Sequence, residues 1–255
     1  MTRSNIIYGR KPLLDAITEG KRFDRILMQK GLTGDEVTKI KSAAAQNGIS
    51  IQMVPIEKLE RVAGNPRNGK EANHQGVLGF MALIEYYNLD DVIHYAHEHQ
   101  QDPLLLILDG VTDIHNMGAI ARSAECFGVH GIVLPDSGSA QINPEAIKTS
   151  AGALTLIHIC REKSLSTAVK YLKANGLKIF GADMHGAKAI AEVDFNCPCA
   201  IILGAEGEGI SEAILRLCDE NIKIPMLGRT ESLNVSVSAG VILYEGMRQR
   251  NISMP

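Results

Sequence analysis

Three short stretches of this 255-residue chain combine polar residue types and spacings that could bind a ligand or do chemistry. In Ile224–Glu245, a strand end runs through the polar loop Gly228–Glu231 into a helix that is expected to open at Ser232 and Asn234. Hydroxyls and an amide at a helix start lie beside free backbone N–H groups, which bind anionic or oxygen-rich ligands. An ordinary N-cap explains the same residues, so this stretch alone leaves both interpretations open.

A second stretch, Leu203–Ile210, places three glycines directly after an apolar run that is typical of a buried strand. Glycine lets the backbone approach a ligand closely, although a turn that requires positive φ would select the same residue. The spacing is GxxGxG and not the GxGxxG of dinucleotide sites, and Glu206 and Glu208 would repel a phosphate. We therefore expect a ligand without phosphate, with Glu206 orienting a polar group.

The third stretch, Leu108–Ala124, contains Asn116 and Arg122 on a predicted helix. Asn116 falls at the expected helix start, where capping is its structural explanation. Arg122 follows three small or apolar residues, so its guanidinium is expected to emerge toward a cleft and to require an anion. A surface arginine without a ligand is the alternative interpretation.

All three stretches accompany predicted strands of one sheet. From Pro103 onward, apolar runs alternate with helical patterns, which predicts a doubly wound, mostly parallel α/β sheet. Strands are expected at Leu104–Leu108, Ala200–Leu203 and Ile222–Met226. Open α/β sheets bind ligands at the carboxyl ends of their strands, so the three stretches are expected to meet.

Residues 1–82 predict a separate small α/β unit. This part carries thirteen Lys and Arg against eight Asp and Glu, whereas the whole chain has a net charge of −3. A mildly basic surface is compatible with nucleic-acid contact and equally with ordinary scatter. The turn-rich segment Asn65–Lys70 is interpreted as a loop that orders on a partner.

The polar segment 83–102 is interpreted as a linker between the two parts. Its three histidines, at 94, 97 and 99, raise a metal site as an alternative, but they lie among polar residues on a predicted solvated helix. The five cysteines show no zinc spacing, because the pair Cys197 and Cys199 has no second pair nearby. We therefore expect no metal.

Composition favours a soluble protein, with 45% hydrophobic and 22% charged residues. The N-terminus has no apolar segment like that of a signal peptide, and no apolar run is long enough to span a bilayer. A cytoplasmic location without a membrane partner is the expectation that follows.

Together the three stretches resemble the SpoU/TrmH family of S-adenosylmethionine-dependent RNA 2′-O-ribose methyltransferases. LDGVTDIHNMGAIARSA, LGAEGEGI and IPMLGRTESLNVSVSAGVILYE match the family's three motifs in order and spacing, within residues 103–255. Residues 1–82 look like the RNA substrate-binding domain of the RlmB-type branch, which methylates a guanosine of large-subunit (23S) ribosomal RNA. Ile114 replaces the family's usual proline and should alter loop stiffness rather than chemistry.

The resemblance implies an α/β fold with a C-terminal trefoil knot, a homodimer with its site near the subunit interface, and S-adenosylmethionine as cofactor. Chain connections are un-knotted as a rule, and nothing in the periodicity predicts the knot. By motif position, the implied cofactor contacts are Leu203, Gly204, Gly209, Ile224, Met226 and Leu233. The implied catalytic residues are Asn116, Arg122, Glu206, Ser232 and Asn234.

The implied reaction is in-line transfer of the sulfonium methyl to a ribose 2′-OH, which needs no metal because the leaving group is neutral. Arg122 is often assigned as the base in the family, but an arginine side chain almost never loses its proton. We expect Arg122 to bind the target phosphate and to stabilise charge developing on the 2′-oxygen. Asn116, Ser232 and Asn234 would fix the ribose and the arginine, while Glu206 would orient the arginine or the RNA.

Three alternatives are compatible with parts of this pattern. Transfer RNA as the substrate would keep the chemistry and change the target. A non-catalytic RNA-binding factor for ribosome assembly would keep the fold. A nucleotide-dependent oxidoreductase would need an early glycine fingerprint after the first strand, which the sequence lacks.

Overall fold

The computed structural model describes residues 5–64, 73–230 and 232–250. The chain consists of two compact units, with the boundary between Leu83 and Ile84. Within the described ranges, no helix combines the length and the apolar character that crossing a membrane requires. The predicted loop Asn65–Lys70 lies outside the described residues.

The N-terminal unit has a mixed sheet with helices on both faces. Its strands are β1 (Ile6–Tyr8), β2 (Phe23–Gln29), β3 (Ser50–Val54) and β4 (Val77–Met81). They pair in the order β1-β4-β2-β3, with β2 and β3 parallel and the other neighbours antiparallel. Its helices are α1 (Arg10–Thr18), α2 (Asp35–Gln46) and α3 (Ile56–Ala63). One buried apolar cluster joins α1 and α2 to the sheet, and a second joins α3 to it.

The second unit is built on a sheet whose strand pairs are all parallel, as predicted for this part of the chain. Its strands are β5 (Tyr86–Tyr87), β6 (Leu104–Asp109), β7 (Gly131–Pro135), β8 (His158–Glu162), β9 (Lys178–Ala182), β10 (Lys188–Ala189), β11 (Cys199–Gly204) and β12 (Glu220–Lys223). They lie in the order β10-β12-β9-β11-β6-β7-β8-β5.

Helices cover both faces of this parallel sheet, which explains the near-continuous apolar sequence of its central strands. They are α4 (Leu89–Glu98), α5 (Ile114–Cys126), α6 (Pro144–Thr149), α7 (Leu165–Ala174), α8 (Glu212–Leu215) and α9 (Val235–Gln249). Along β6, Leu106 and Leu108 enter the buried cluster that includes α5 and α9. Leu105 and Ile107 enter the opposite cluster, with α4 and α7, because successive strand residues point to opposite faces.

Two helices begin at positions other than those predicted. Helix α5 begins directly after Asp113, whose Oδ1 accepts the backbone N–H of Asn116 at 2.9 Å. The capping explanation of Asn116 is therefore wrong, and its side chain is available for other contacts. Helix α9 begins after Asn234, which is its N-cap, so Ser232 precedes the helix instead of opening it.

The segment 83–102, predicted as a linker, contains β5 and α4. Strand β5 pairs with β8, and Val92 and Ala96 of α4 are completely buried in the second unit. His94 Nε2 lies 3.0 Å from Glu98 Oε1, one helical turn away. The described residues contain no group of three or more His, Cys, Asp or Glu side chains that could hold a metal. The functional division into 1–82, 83–102 and 103–255 stays a prediction.

Arg250 ties the end of α9 to segments that precede two sheet strands. Its guanidinium donates to the carbonyl oxygens of Asp102 at 2.7 Å and Phe195 at 3.0 Å. It also donates to the carbonyl oxygen of Cys197 and to Cys199 Sγ. Because guanidinium offers five donors in a rigid fork, one side chain fixes this end of the helix against the sheet.

His130 is a buried neutral histidine that precedes β7. Its Nδ1 accepts the N–H of Leu104 at 3.0 Å, so Nε2 carries the proton and donates to Gln101 Oε1 at 2.8 Å. Burial, followed by the charge of Arg250, lowers the pKa of His130 from 6.5 to about 4. Protonation of Nδ1 would remove the acceptor for the Leu104 N–H group.

We expect the free energy of unfolding of the second unit to fall between pH 6.5 and pH 4. The unfolded chain binds the proton at the higher pH and the folded chain only at the lower one. The contribution of His130, up to about 3 kcal/mol, is therefore complete above this window and lost within it. Urea unfolding followed by circular dichroism, at about pH 7.5 and about pH 5, measures the difference. In His130→Gln the difference should shrink; an unchanged difference contradicts the prediction.

Candidate active site

A cavity of about 590 Å³ opens beyond the carboxyl ends of β9, β11 and β12, which are neighbours in the sheet. Helix α9 contributes a further wall through Val235, Ser238 and Ile242. The lining includes all six residues predicted to contact a cofactor, namely Leu203, Gly204, Gly209, Ile224, Met226 and Leu233. Their common location is an observation, and their role stays a prediction.

The glycine-rich loop after β11 closes on itself. Ala205 and Gly209 exchange two backbone hydrogen bonds, of 3.1 and 2.9 Å. A Cβ atom at Gly204 would lie 2.0 Å from the carbonyl carbon of Gly209, so only glycine fits at this position. At the far end of the loop, the N–H of Ser211 donates to Asp109 Oδ2 at 2.8 Å. The loop is thereby fixed against the end of β6, beside the cavity.

A chain of side-chain hydrogen bonds joins the three polar stretches. Asn234 Nδ2 donates to Asn116 Oδ1 at 3.0 Å. Asn116 Nδ2 in turn donates to Glu206 Oε2 at 3.3 Å. These residues follow β12, β6 and β11, so the expectation that the three stretches meet is fulfilled by direct contacts.

The remaining two predicted catalytic residues lie in different surroundings. Ser232 lines the cavity, as Glu206 does. Arg122 is exposed on α5 and does not line the cavity. Within the described part of the chain, no hydrogen bond or ion pair engages its guanidinium. Arg122 is therefore free to meet an anion from outside.

The charges that line the cavity are mainly negative. Carboxylates come from Asp183, Glu206 and Glu208, against the single ammonium group of Lys223 among the described lining residues. This balance disfavours a phosphate and favours a ligand that carries positive charge.

Comparison with known proteins gives the family. Residues 103–244 match the SpoU rRNA Methylase family, and residues 6–87 match the family described as RNA 2′-O ribose methyltransferase substrate binding. YacO of Bacillus subtilis (strain 168), named as a TrmH family tRNA/rRNA methyltransferase, is 32% identical over 245 residues, which are 96% of this chain and 96% of YacO. The chain belongs to the SpoU rRNA methylase family.

Solved structures of SpoU methylases resemble this one. AviRb from Streptomyces viridochromogenes, crystallised in complex with AdoMet, has a TM-score of 0.60 and 25% identity over 96% of this chain and 90% of AviRb. The TrmH/SpoU tRNA modifying enzyme of A. aeolicus has a TM-score of 0.54 and 31% identity over 59% of this chain and 76% of that enzyme. The predicted family, the RNA methyltransferase class and the family's donor, S-adenosylmethionine, are confirmed.

Sequence reasoning missed one wall of the cavity of this SpoU methylase. Asp183, Met184 and His185 directly follow β9 and line the cavity beside the glycine loop. Asp183 Oδ1 accepts the N–H of His185 at 2.7 Å, which holds this turn. The rule that ligands bind at strand carboxyl ends would have found these residues if it had been applied to β9 as well.

We expect Gly204→Ala to lower the free energy of unfolding of the second unit by about 2 kcal/mol or more, because the new methyl group must displace the Gly209 backbone. Thermal unfolding measures the loss. Gly228→Ala is the matched control, since the nearest atom to its Cβ would lie 4.0 Å away. Equal stability of the two variants would refute the close approach.

Proposed function

We propose that this SpoU methylase transfers the sulfonium methyl of S-adenosylmethionine to a ribose 2′-oxygen of RNA, and that its target is a guanosine of large-subunit (23S) ribosomal RNA. The proposal rests on one observation: the cavity and the hydrogen-bonded polar side chains meet at one edge of the sheet. The acid-lined cavity reaches Glu206, and Glu206 is hydrogen-bonded through Asn116 to Asn234. A donor in the cavity would then present its methyl group beside a set of polar side chains.

The proposed donor fits the chemistry of the cavity. Its sulfonium is a cation, which the carboxylates of Asp183, Glu206 and Glu208 favour. Apolar side chains of Leu203, Ile224 and other lining residues suit the adenosine part. In this proposal the trefoil knot implied by the family holds the donor, and the methyl transfer itself involves no metal.

In the proposed step, a lone pair of the 2′-oxygen forms the new O–CH₃ bond while the C–S electron pair returns to sulfur. The hydroxyl proton leaves to an acceptor that we do not assign. Arg122 binds the adjacent phosphate and stabilises charge on the 2′-oxygen, because an arginine side chain almost never gives up a proton and so cannot act as the base. Asn116, Ser232 and Asn234 fix the ribose, and Glu206 orients the arginine or the RNA.

Ribosomal RNA is the proposed target because the N-terminal unit matches a substrate-binding domain of RNA 2′-O-ribose methyltransferases. Sequence-specific readers of RNA act mainly on unpaired loops, whose bases are splayed out of the stack. Transfer RNA is the second candidate, since the A. aeolicus relative is named as a tRNA modifying enzyme. The two candidates share the chemistry and differ only in what the N-terminal unit holds.

The test is transfer of labelled methyl groups from S-adenosylmethionine to unmodified ribosomal RNA and transfer RNA, with mapping of the modified ribose. We expect 2′-O-methylation of a guanosine in the large-subunit RNA. Arg122→Lys should lower turnover by about 10²-fold while RNA still binds, because ammonium cannot form the bidentate contact. Arg216→Lys, at another exposed arginine, is the matched control and should keep full turnover.

Each contrary result removes a different part of the proposal. Methylation of transfer RNA alone would replace the substrate. Cofactor binding without transfer to either RNA would favour a non-catalytic RNA-binding factor. Near-normal turnover of Arg122→Lys would remove the bidentate role of Arg122.

We also propose that the homodimer implied by the family resemblance forms through α9. Val237, Val241 and Tyr244 recur on one face of this helix and are 50%, 36% and 53% exposed. A helix normally buries such an apolar stripe. Tyr244 also contacts Phe127 just beyond α5, with ring centroids 6.1 Å apart, so the stripe continues toward the helix that carries Arg122.

Val241→Glu should therefore shift the protein from dimer to monomer, because a second copy would bury the new carboxylate without a partner. Sedimentation equilibrium measures the change. Met53→Glu is the matched control, since Met53 is 41% exposed in the N-terminal unit. A Val241→Glu protein that stays dimeric, or a wild-type protein that is monomeric, would exclude association through α9.

A further inference from the structure

Ser236 lies next to the hydrogen-bond chain of the site but outside the cavity. Its backbone N–H donates to Asn234 Oδ1 at 2.9 Å, and its hydroxyl donates to the same oxygen at 2.6 Å. The side chain is half-buried on the first turn of α9, and it is absent from the residues that line the cavity. Among the described residues its hydroxyl bonds to Asn234 alone, so this amide connects the hydroxyl to the site.

The two bonds from Ser236 decide which way the Asn234 amide points. An amide oxygen only accepts hydrogen bonds and an amide NH₂ only donates them. With Oδ1 held by Ser236, Asn234 must present Nδ2 to Asn116. Asn116 then accepts through Oδ1, which leaves its own Nδ2 to face Glu206.

Reversing the direction of this series of hydrogen bonds would be unfavourable at Glu206. If the Asn116 amide were turned over, its oxygen would face the Glu206 carboxylate, and two acceptors would oppose each other. The orientation that Ser236 imposes on the Asn234 amide therefore determines the orientation of the Asn116 amide, which binds the Glu206 carboxylate. One oxygen of that carboxylate, Oε2, is bound by Asn116.

We infer that Ser236 is a positioning residue for methyl transfer, which orients Asn116 and Glu206 through the Asn234 amide. The inference rests on the proposed function and adds a residue to it. Ser236 lies outside the cavity proposed for the donor, and it acts by keeping one direction of hydrogen bonding at the place where the ribose is fixed.

The test is Ser236→Ala, which removes only the hydroxyl bond and keeps the backbone N–H bond that caps α9. The single-turnover rate of methyl transfer should fall by about tenfold, because one of two bonds to Oδ1 is lost. Affinity for S-adenosylhomocysteine, measured by calorimetry, should stay within about twofold, since the cavity wall is unchanged. Ser236→Thr keeps a hydroxyl and should restore the rate.

A double-mutant cycle separates positioning from general packing. If Ser236 acts through Asn116, the variant with both Asn116→Ala and Ser236→Ala should be no slower than Asn116→Ala alone. Ser164→Ala is the matched control, because it removes a serine hydroxyl bond at the start of a different helix, α7, and should lower stability without slowing transfer.

Three outcomes would overturn the inference. They are a wild-type rate in Ser236→Ala, a slow rate that Ser236→Thr does not restore, and additive effects in the double variant. A wild-type protein that transfers no methyl group to any RNA overturns the proposed function, and this inference falls with it. A failure of the inference alone leaves wild-type transfer intact, so the two failures are distinguishable.

Discussion

The site depends on the parallel pairing of β11 between β6 and β9. In this register Leu203 lies opposite both Leu108 and Ala182, and Gly204 lies opposite Asp109. The three strands therefore end together, and the segments that follow them meet at one edge. A slip of one residue would turn every β11 side chain to the other face of the sheet, and the close packing on both faces opposes that exchange. The polar residues beyond the strand ends could then vary without loss of the frame.

Beyond this edge, two kinds of hydrogen bond position the loop and the polar side chains. The backbone holds the glycine loop, through the exchange between Ala205 and Gly209 and through the Asp109 carboxylate. Side chains hold the rest, because Asn234 and Asn116 connect α9 and α5 to Glu206. The first kind shapes the wall of a cavity, and the second holds the polar side chains beside it. Separate contacts thus support these two parts of the candidate site.

The sequence predicted the frame better than the details of the site. Continuous apolar runs such as Leu104–Leu108 predicted central parallel strands, because a strand covered on both faces leaves no polar alternation. Helix starts were less certain, since Asp113 and Asn116 are both acceptable caps and only the folded backbone selects Asp113. Motif position predicted six cofactor contacts, and all six residues line one cavity, although their role stays a prediction. Side-chain hydrogen bonds such as those of Ser236 depend on distances that no sequence pattern contains.

The walls of the cavity come from segments that are far apart in the chain, around Asp183, Leu203, Ile224 and Ser238. A bound ligand would connect all of them at once, and unfolding of any one would release it. Ligand at about one hundred times its dissociation constant would stabilise the folded second unit by about 2.7 kcal/mol. Proteases attack the transiently opened chain, so the supply of the proposed donor would also govern how long each molecule survives in a cell. Starvation for the donor would then reduce the amount of this protein as well as the rate of methyl transfer by each molecule.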